Sequence, residues 1–129
     1  MDSTVNRNLT QLCRLLEEHN CRDVLALDLS GRCSWTEGFI IATVNSRGHL
    51  AGLLRRVDEA LEELEVKRLR RWEGDGEEPG SETGEIKTWL LLDCGDFIIH
   101  LMNEKAREFY ELEKVFHFVP RMSAAPPQS

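Results

Sequence analysis

A chain of 129 residues that is 41% hydrophobic and 30% charged can bury one core without staples, which excludes a disordered tract or a disulfide-stitched miniprotein. Its formal net charge of −7 argues against a nucleic-acid backbone as direct partner, because phosphate contacts need clustered Lys and Arg. The same charge suits a basic protein partner through steering and complementarity.

Residues 1–20 are predicted as a helix, with Leu9, Leu12, Leu15 and Leu16 at helical spacing, Asn6 or Asn8 as the cap and Asn20 as the stop. Residues 23–29 follow as a strand ending at Ser30-Gly31. Residues 39–44, β-rich and apolar on both faces, are expected to be an interior strand. Asn45-Ser46 then caps an amphipathic helix whose stripe runs through Leu50, Leu53, Leu54, Val57, Leu61 and Leu64. Gly48 and Gly52 are poor helix formers there, and serve close packing or fray the first turns.

A third strand is expected over 66–72, followed by an acidic, glycine-rich segment, Glu73–Lys87, read as a mobile loop insert. Residues 89–93 and 97–102 are two strands joined through Cys94-Gly95, with Gly95 at the second loop position supplying the positive φ of a tight hairpin. Asn103 caps a last helix carrying Ala106, Phe109, Tyr110 and Leu112. The domain is expected over 1–120, with 121–129 a disordered tail. The order α-β-β-α-β-β-β-α, with one strand-helix-strand crossover and a final hairpin, predicts a single α/β domain: a mixed five-stranded sheet covered by helices.

No apolar run is long enough to cross a bilayer, and no basic patch precedes an apolar run at the N-terminus, so a cytoplasmic protein is expected. No pair among Cys13, Cys21, Cys33 and Cys94 is spaced as C-x-x-C, and four reduced cysteines are expected. Asp93, Asp96 and His100 form the densest polar cluster, but the two carboxylates bracket a turn instead of sharing a strand face. A local role, accepting backbone N–H bonds or offering charge to a partner, is expected for them, with no metal and no cofactor. No G-x-S-x-G elbow and no phosphate-cradling glycine loop occurs, which points to a protein that is not an enzyme. Trp35 and Trp89 lie beside polar turn residues, so each is a half-exposed interface anchor or a core residue.

Two segments carry a family pattern. Leu27-Asp28-Leu29-Ser30-Gly31-Arg32-Cys33-Ser34-Trp35-Thr36-Glu37-Gly38-Phe39-Ile40-Ile41-Ala42-Thr43 resembles the first motif of the ribosomal silencing factors, the Iojap-like family. Trp89-Leu90-Leu91-Leu92-Asp93-Cys94-Gly95-Asp96-Phe97-Ile98-Ile99-His100-Leu101-Met102, continuing through Ala106–Glu113, resembles the second. The chain departs from the pattern at Glu37-Gly38 and at Cys94.

The resemblance implies a nucleotidyltransferase-like domain without the catalytic site. It also implies docking on the large ribosomal subunit, chiefly on its subunit-interface protein numbered fourteen, and self-association as dimers. The implied function is translational repression by blocking the joining of the small subunit. The expected partner-binding surface gathers Trp89, Asp93, Asp96, His100, Arg107, Tyr110 and Glu113, presented by a hairpin that Gly95 sets. The alternatives are a large-subunit assembly factor and a metal-dependent nucleotidyltransferase using Asp93 and Asp96.

Overall fold

A computed structural model describes residues 3–77 and 86–111. The elements are α1 (Ser3–Glu18), β1 (Arg22–Asp28), β2 (Gly38–Val44), α2 (Arg47–Glu63), β3 (Arg70–Glu77), β4 (Ile86–Asp93), β5 (Phe97–Asn103) and α3 (Glu104–Tyr110). The strands form one five-stranded sheet in the order β1-β2-β5-β4-β3. β2 and β5 are parallel and every other pair is antiparallel, so the mixed sheet expected from the element order is present.

Strand alternation divides the core in two. On one face Ala26, Ile40, Ala42, Leu90, Leu92, Phe97, Ile99 and Leu101 pack under α1 and α2. On the other, Leu27, Phe39, Ile41, Ile98 and Met102 pack with Ala106 of α3. All seven residues of β2 are buried, which is why its sequence is apolar on both faces.

α1 buries Val5, Leu9, Leu12, Cys13 and Leu16 along one stripe. It begins before the expected caps: Asn6 and Asn8 lie inside it, because burying Val5 carries the helix a turn further back. Its end is as expected. Asn20 adopts a positive φ of 70°, and the Cys21 N–H returns to the Leu16 carbonyl at 2.9 Å. Ser46 caps α2 by accepting the His49 N–H, and Asn103 caps α3 by accepting the Ala106 N–H.

The third strand differs from expectation. Residues 66–69 leave α2, with the Val66 N–H bonded to the Leu61 carbonyl, and β3 runs from Arg70 to Glu77. The ladder pairs Arg70 with Asp93 through Glu77 with Ile86, so residues 73–77 and 86–87 of the acidic segment are strand. The reason is positional: β3 is an edge strand, held by backbone pairing to β4, and an edge tolerates charged sequence. Residues 78–85 of the expected loop and the 121–129 tail lie outside the described residues. No described helix is long and apolar enough to cross a membrane.

Candidate interaction face

The β4–β5 hairpin positions most of the expected site. Cys94 N–H bonds the Phe97 carbonyl at 3.0 Å, leaving Gly95-Asp96 as the two loop residues. Gly95 is therefore the first loop residue, not the second, and its φ of +82° matches the turn type that places glycine there. Asp93 Oδ1 accepts the Gly95 N–H at 2.9 Å, and Oδ2 meets Arg70 at 3.2 Å. Asp93 thus has the local role expected of it. Asp96 is exposed, and its backbone carbonyl accepts the Glu37 N–H at 2.8 Å.

The expected surface is not assembled as one patch. Asp93 and Asp96 lie at the turn, whereas Tyr110 packs on Trp89, which pairs with Met102, so the stretch of β4 from Asp93 to Trp89, about 13 Å long, sets the carboxylates apart from the aromatic pair. His100 is not on the surface: it is 4% exposed, because Ile98, His100 and Met102 alternate onto the inner face that α3 covers. Arg107 turns inward as well. Its Nη1 donates to the Asp23 carbonyl at 2.6 Å and to Thr43 Oγ1 at 2.9 Å, tying α3 back to β1 and β2. Glu113 lies outside the described residues.

What the fold does bring together is a connected set of rings. Trp72, opposite Leu91 on β3, meets Trp89 edge-on with centroids 5.7 Å apart. Trp89 meets Tyr110 at 4.7 Å, and Tyr110 meets Phe109 at 4.9 Å. Inward, Trp89 contacts His100 at 5.8 Å, His100 contacts Phe39 at 4.6 Å, and Phe39 contacts Trp35 at 5.8 Å. The ends of this network reach water: Trp35 is 63% exposed, Trp72 51%, Phe109 56% and Tyr110 40%.

Large aromatic rings left this exposed forgo much of the burial that would stabilise the fold, and they are among the side chains most enriched where partners bind. Trp89 is half-buried and serves as the platform that Trp72 and Tyr110 lean on. Sequence reasoning missed Trp72 and Phe109. The available signal was the hairpin register, which sets Trp72 on the same sheet face as Trp89.

At the centre, the Trp89 Nε1–H donates to His100 Nδ1 at 3.0 Å. Burial lowers the pKa of His100 to about 4, so the imidazole is neutral at pH 7 and carries its proton on Nε2. Among the described residues no group of three His, Cys, Asp or Glu side chains is placed to hold a metal ion. Two open clefts, of about 560 and 430 Å³, lie beside His19, His49 and Arg56 and beside Arg22, Asn45 and Glu104. Neither is lined by Asp93 or Asp96.

A family model described as ribosomal silencing factor during starvation matches residues 2–129. A ribosomal silencing factor of Treponema pallidum is 30% identical over 114 residues, covering 88% of this chain and 93% of that protein. The mouse mitochondrial assembly of ribosomal large subunit protein 1 is 27% identical over 109 residues, covering 84% of this chain and 45% of that protein. A crystal structure of a Chromobacterium violaceum protein superposes with a TM-score of 0.66 at 26% identity, covering all of this chain and 92% of that one.

Proposed function

This chain belongs to the ribosomal silencing factor family, and from that premise we propose that it binds the large ribosomal subunit and represses translation by keeping the small subunit from joining. The observation that carries the reading is the exposed aromatic row of Trp72, Tyr110 and Phe109 set on Trp89. Such a row supplies the few rigid anchors that carry most of an interface's energy. The net charge of −7 supports a basic partner, for which the large subunit's interface protein numbered fourteen is our proposal.

The action is binding and not catalysis, in the cytoplasm. Asp93 is engaged by Gly95 and Arg70 and His100 by Trp89, which weighs against a nucleotidyltransferase reading that would use Asp93 with Asp96. The name of the mouse relative favours a second reading, a role in large-subunit assembly. It uses the same face at an earlier time.

Sedimentation of tagged protein with separated subunits tests the proposal. The protein is expected to travel with the large subunit. Co-sedimentation with the small subunit alone, or with neither, would refute it.

A further inference from the structure

We infer that His100 is a positioning residue for the aromatic face: its Nδ1 accepts the Trp89 indole N–H and so fixes the platform that presents Trp72 and Tyr110. The inference rests on the docking reading above and adds to it a residue that never touches the partner.

The geometry is specific. His100 sits opposite Leu91, two residues along from the Met102 that faces Trp89, so the 3.0 Å bond crosses the hairpin diagonally. An indole N–H only donates, so Nδ1 must be the unprotonated nitrogen and Nε2 the protonated one. Nε2 is buried with no hydrogen-bond partner among the described residues. A buried, unpaired donor is costly, so the imidazole is held here by what Nδ1 does and by the Phe39 ring beside it. Without the acceptor, the indole N–H would be left unpaired in a half-buried site, and the ring would turn to find water. Trp72 and Tyr110 would then lose their common support.

The surroundings leave the lock to these two residues. Across the sheet His100 faces Ile41 and Leu91, and beyond Trp89 the titratable group is the Tyr110 phenol. Of the charged groups on α3 and β3, Glu104 pairs with Arg22, Arg107 holds Asp23 and Thr43, Arg70 pairs with Asp93 and Arg71 pairs with Glu73.

Three proteins test it: wild type, His100→Phe, which keeps ring volume without an acceptor, and His100→Asn, which keeps an acceptor oxygen near the place of Nδ1. Folded His100→Phe is expected to bind purified large subunits roughly tenfold more weakly, the loss due to a platform that must be ordered on binding. His100→Asn should recover most of that loss. In free wild-type protein, long-range proton–nitrogen spectra of the imidazole should show a single tautomer with the proton on Nε2. The Trp89 indole proton, assigned with Trp89→Phe, should exchange slowly in wild type and His100→Asn and fast in His100→Phe. Folded His100→Phe that binds as tightly as wild type would overturn the inference, and so would His100→Asn that is as weak as His100→Phe. An imidazole with its proton on Nδ1 would also overturn it. Wild-type protein that leaves large subunits unbound would sink the docking reading, while the free-protein spectra would still decide the lock.

Discussion

The indole Nε1–H of Trp89 donates to Nδ1 of His100 at 3.0 Å, across the β4–β5 hairpin and beneath the exposed aromatic row. Burial is the cause that lowers His100 from its ordinary 6.5 to about 4. The unfolded chain therefore takes up a proton near pH 6.5 that the folded chain refuses until about 4. By linkage, the contribution is fully present above pH 6.5 and is lost as pH falls toward 4, by roughly 3 kcal/mol at its limit. Urea titrations at pH 7 and pH 4.5 should show a lower midpoint in acid, with the difference reduced in His100→Asn. An undiminished difference in that variant would assign the acid sensitivity to carboxylates instead.

Two glycines should respond in opposite directions. Gly52 lies within α2, and a Cβ built there meets nothing within 4 Å, so neither close packing nor a strained backbone calls for glycine. Gly52→Ala is expected to stabilise by about 1 kcal/mol. Gly95, at φ +82°, a backbone conformation that a side chain strains, should lose about 1 kcal/mol on Gly95→Ala. Denaturant midpoints decide both, and a destabilised Gly52→Ala would mean that the helix packs differently there.

The thiols should separate by burial. Burial raises Cys13 and Cys94 to about 12 and Cys21 to about 11, while Cys33 is the free cysteine that is partly exposed. A maleimide at pH 7.5 should modify Cys33 first, and the other three only in denaturant, because the thiolate is the reacting form. Peptide mapping that finds Cys13 or Cys94 labelled at the same rate would contradict the packing of α1 and the hairpin.

Arg107→Met should weaken the fold. Its guanidinium is one tether between α3 and the β1–β2 edge, beside the Arg22–Glu104 pair, and removing it leaves the buried Thr43 hydroxyl without this donor. A loss of about 1–3 kcal/mol is expected, visible in thermal or denaturant melts of the free protein. Unchanged stability with weakened subunit binding would return Arg107 to the partner surface that the sequence alone suggests for it.

Much of this fold can be read from local chemistry. The continuous apolar run of β2, the Ser46 and Asn103 caps and the positive φ at Gly95 each follow from residues within a few positions of one another. β3 cannot be read that way, because its edge pairing is made by backbone groups and leaves its acidic sequence unconstrained. The candidate site is legible only in part. Trp89 and Tyr110 are conspicuous in the sequence. That His100 faces inward, that Arg107 reaches back more than sixty positions to Thr43, and that Trp72 joins Trp89 all depend on how β5, α3 and β3 are registered.

The central claim, that the aromatic row docks on the large subunit and obstructs joining, is tested most directly by subunit reassociation on a sucrose gradient after magnesium is restored. Excess wild-type protein should hold the subunits apart. The double variant Trp72→Ala, Tyr110→Ala removes two exposed rings and should stay folded. Each substitution is expected to cost about 2 kcal/mol of binding, roughly thirtyfold, so the double variant should let full ribosomes form. A folded double variant that separates subunits as well as wild type, or wild-type protein that leaves joining untouched, would contradict the account.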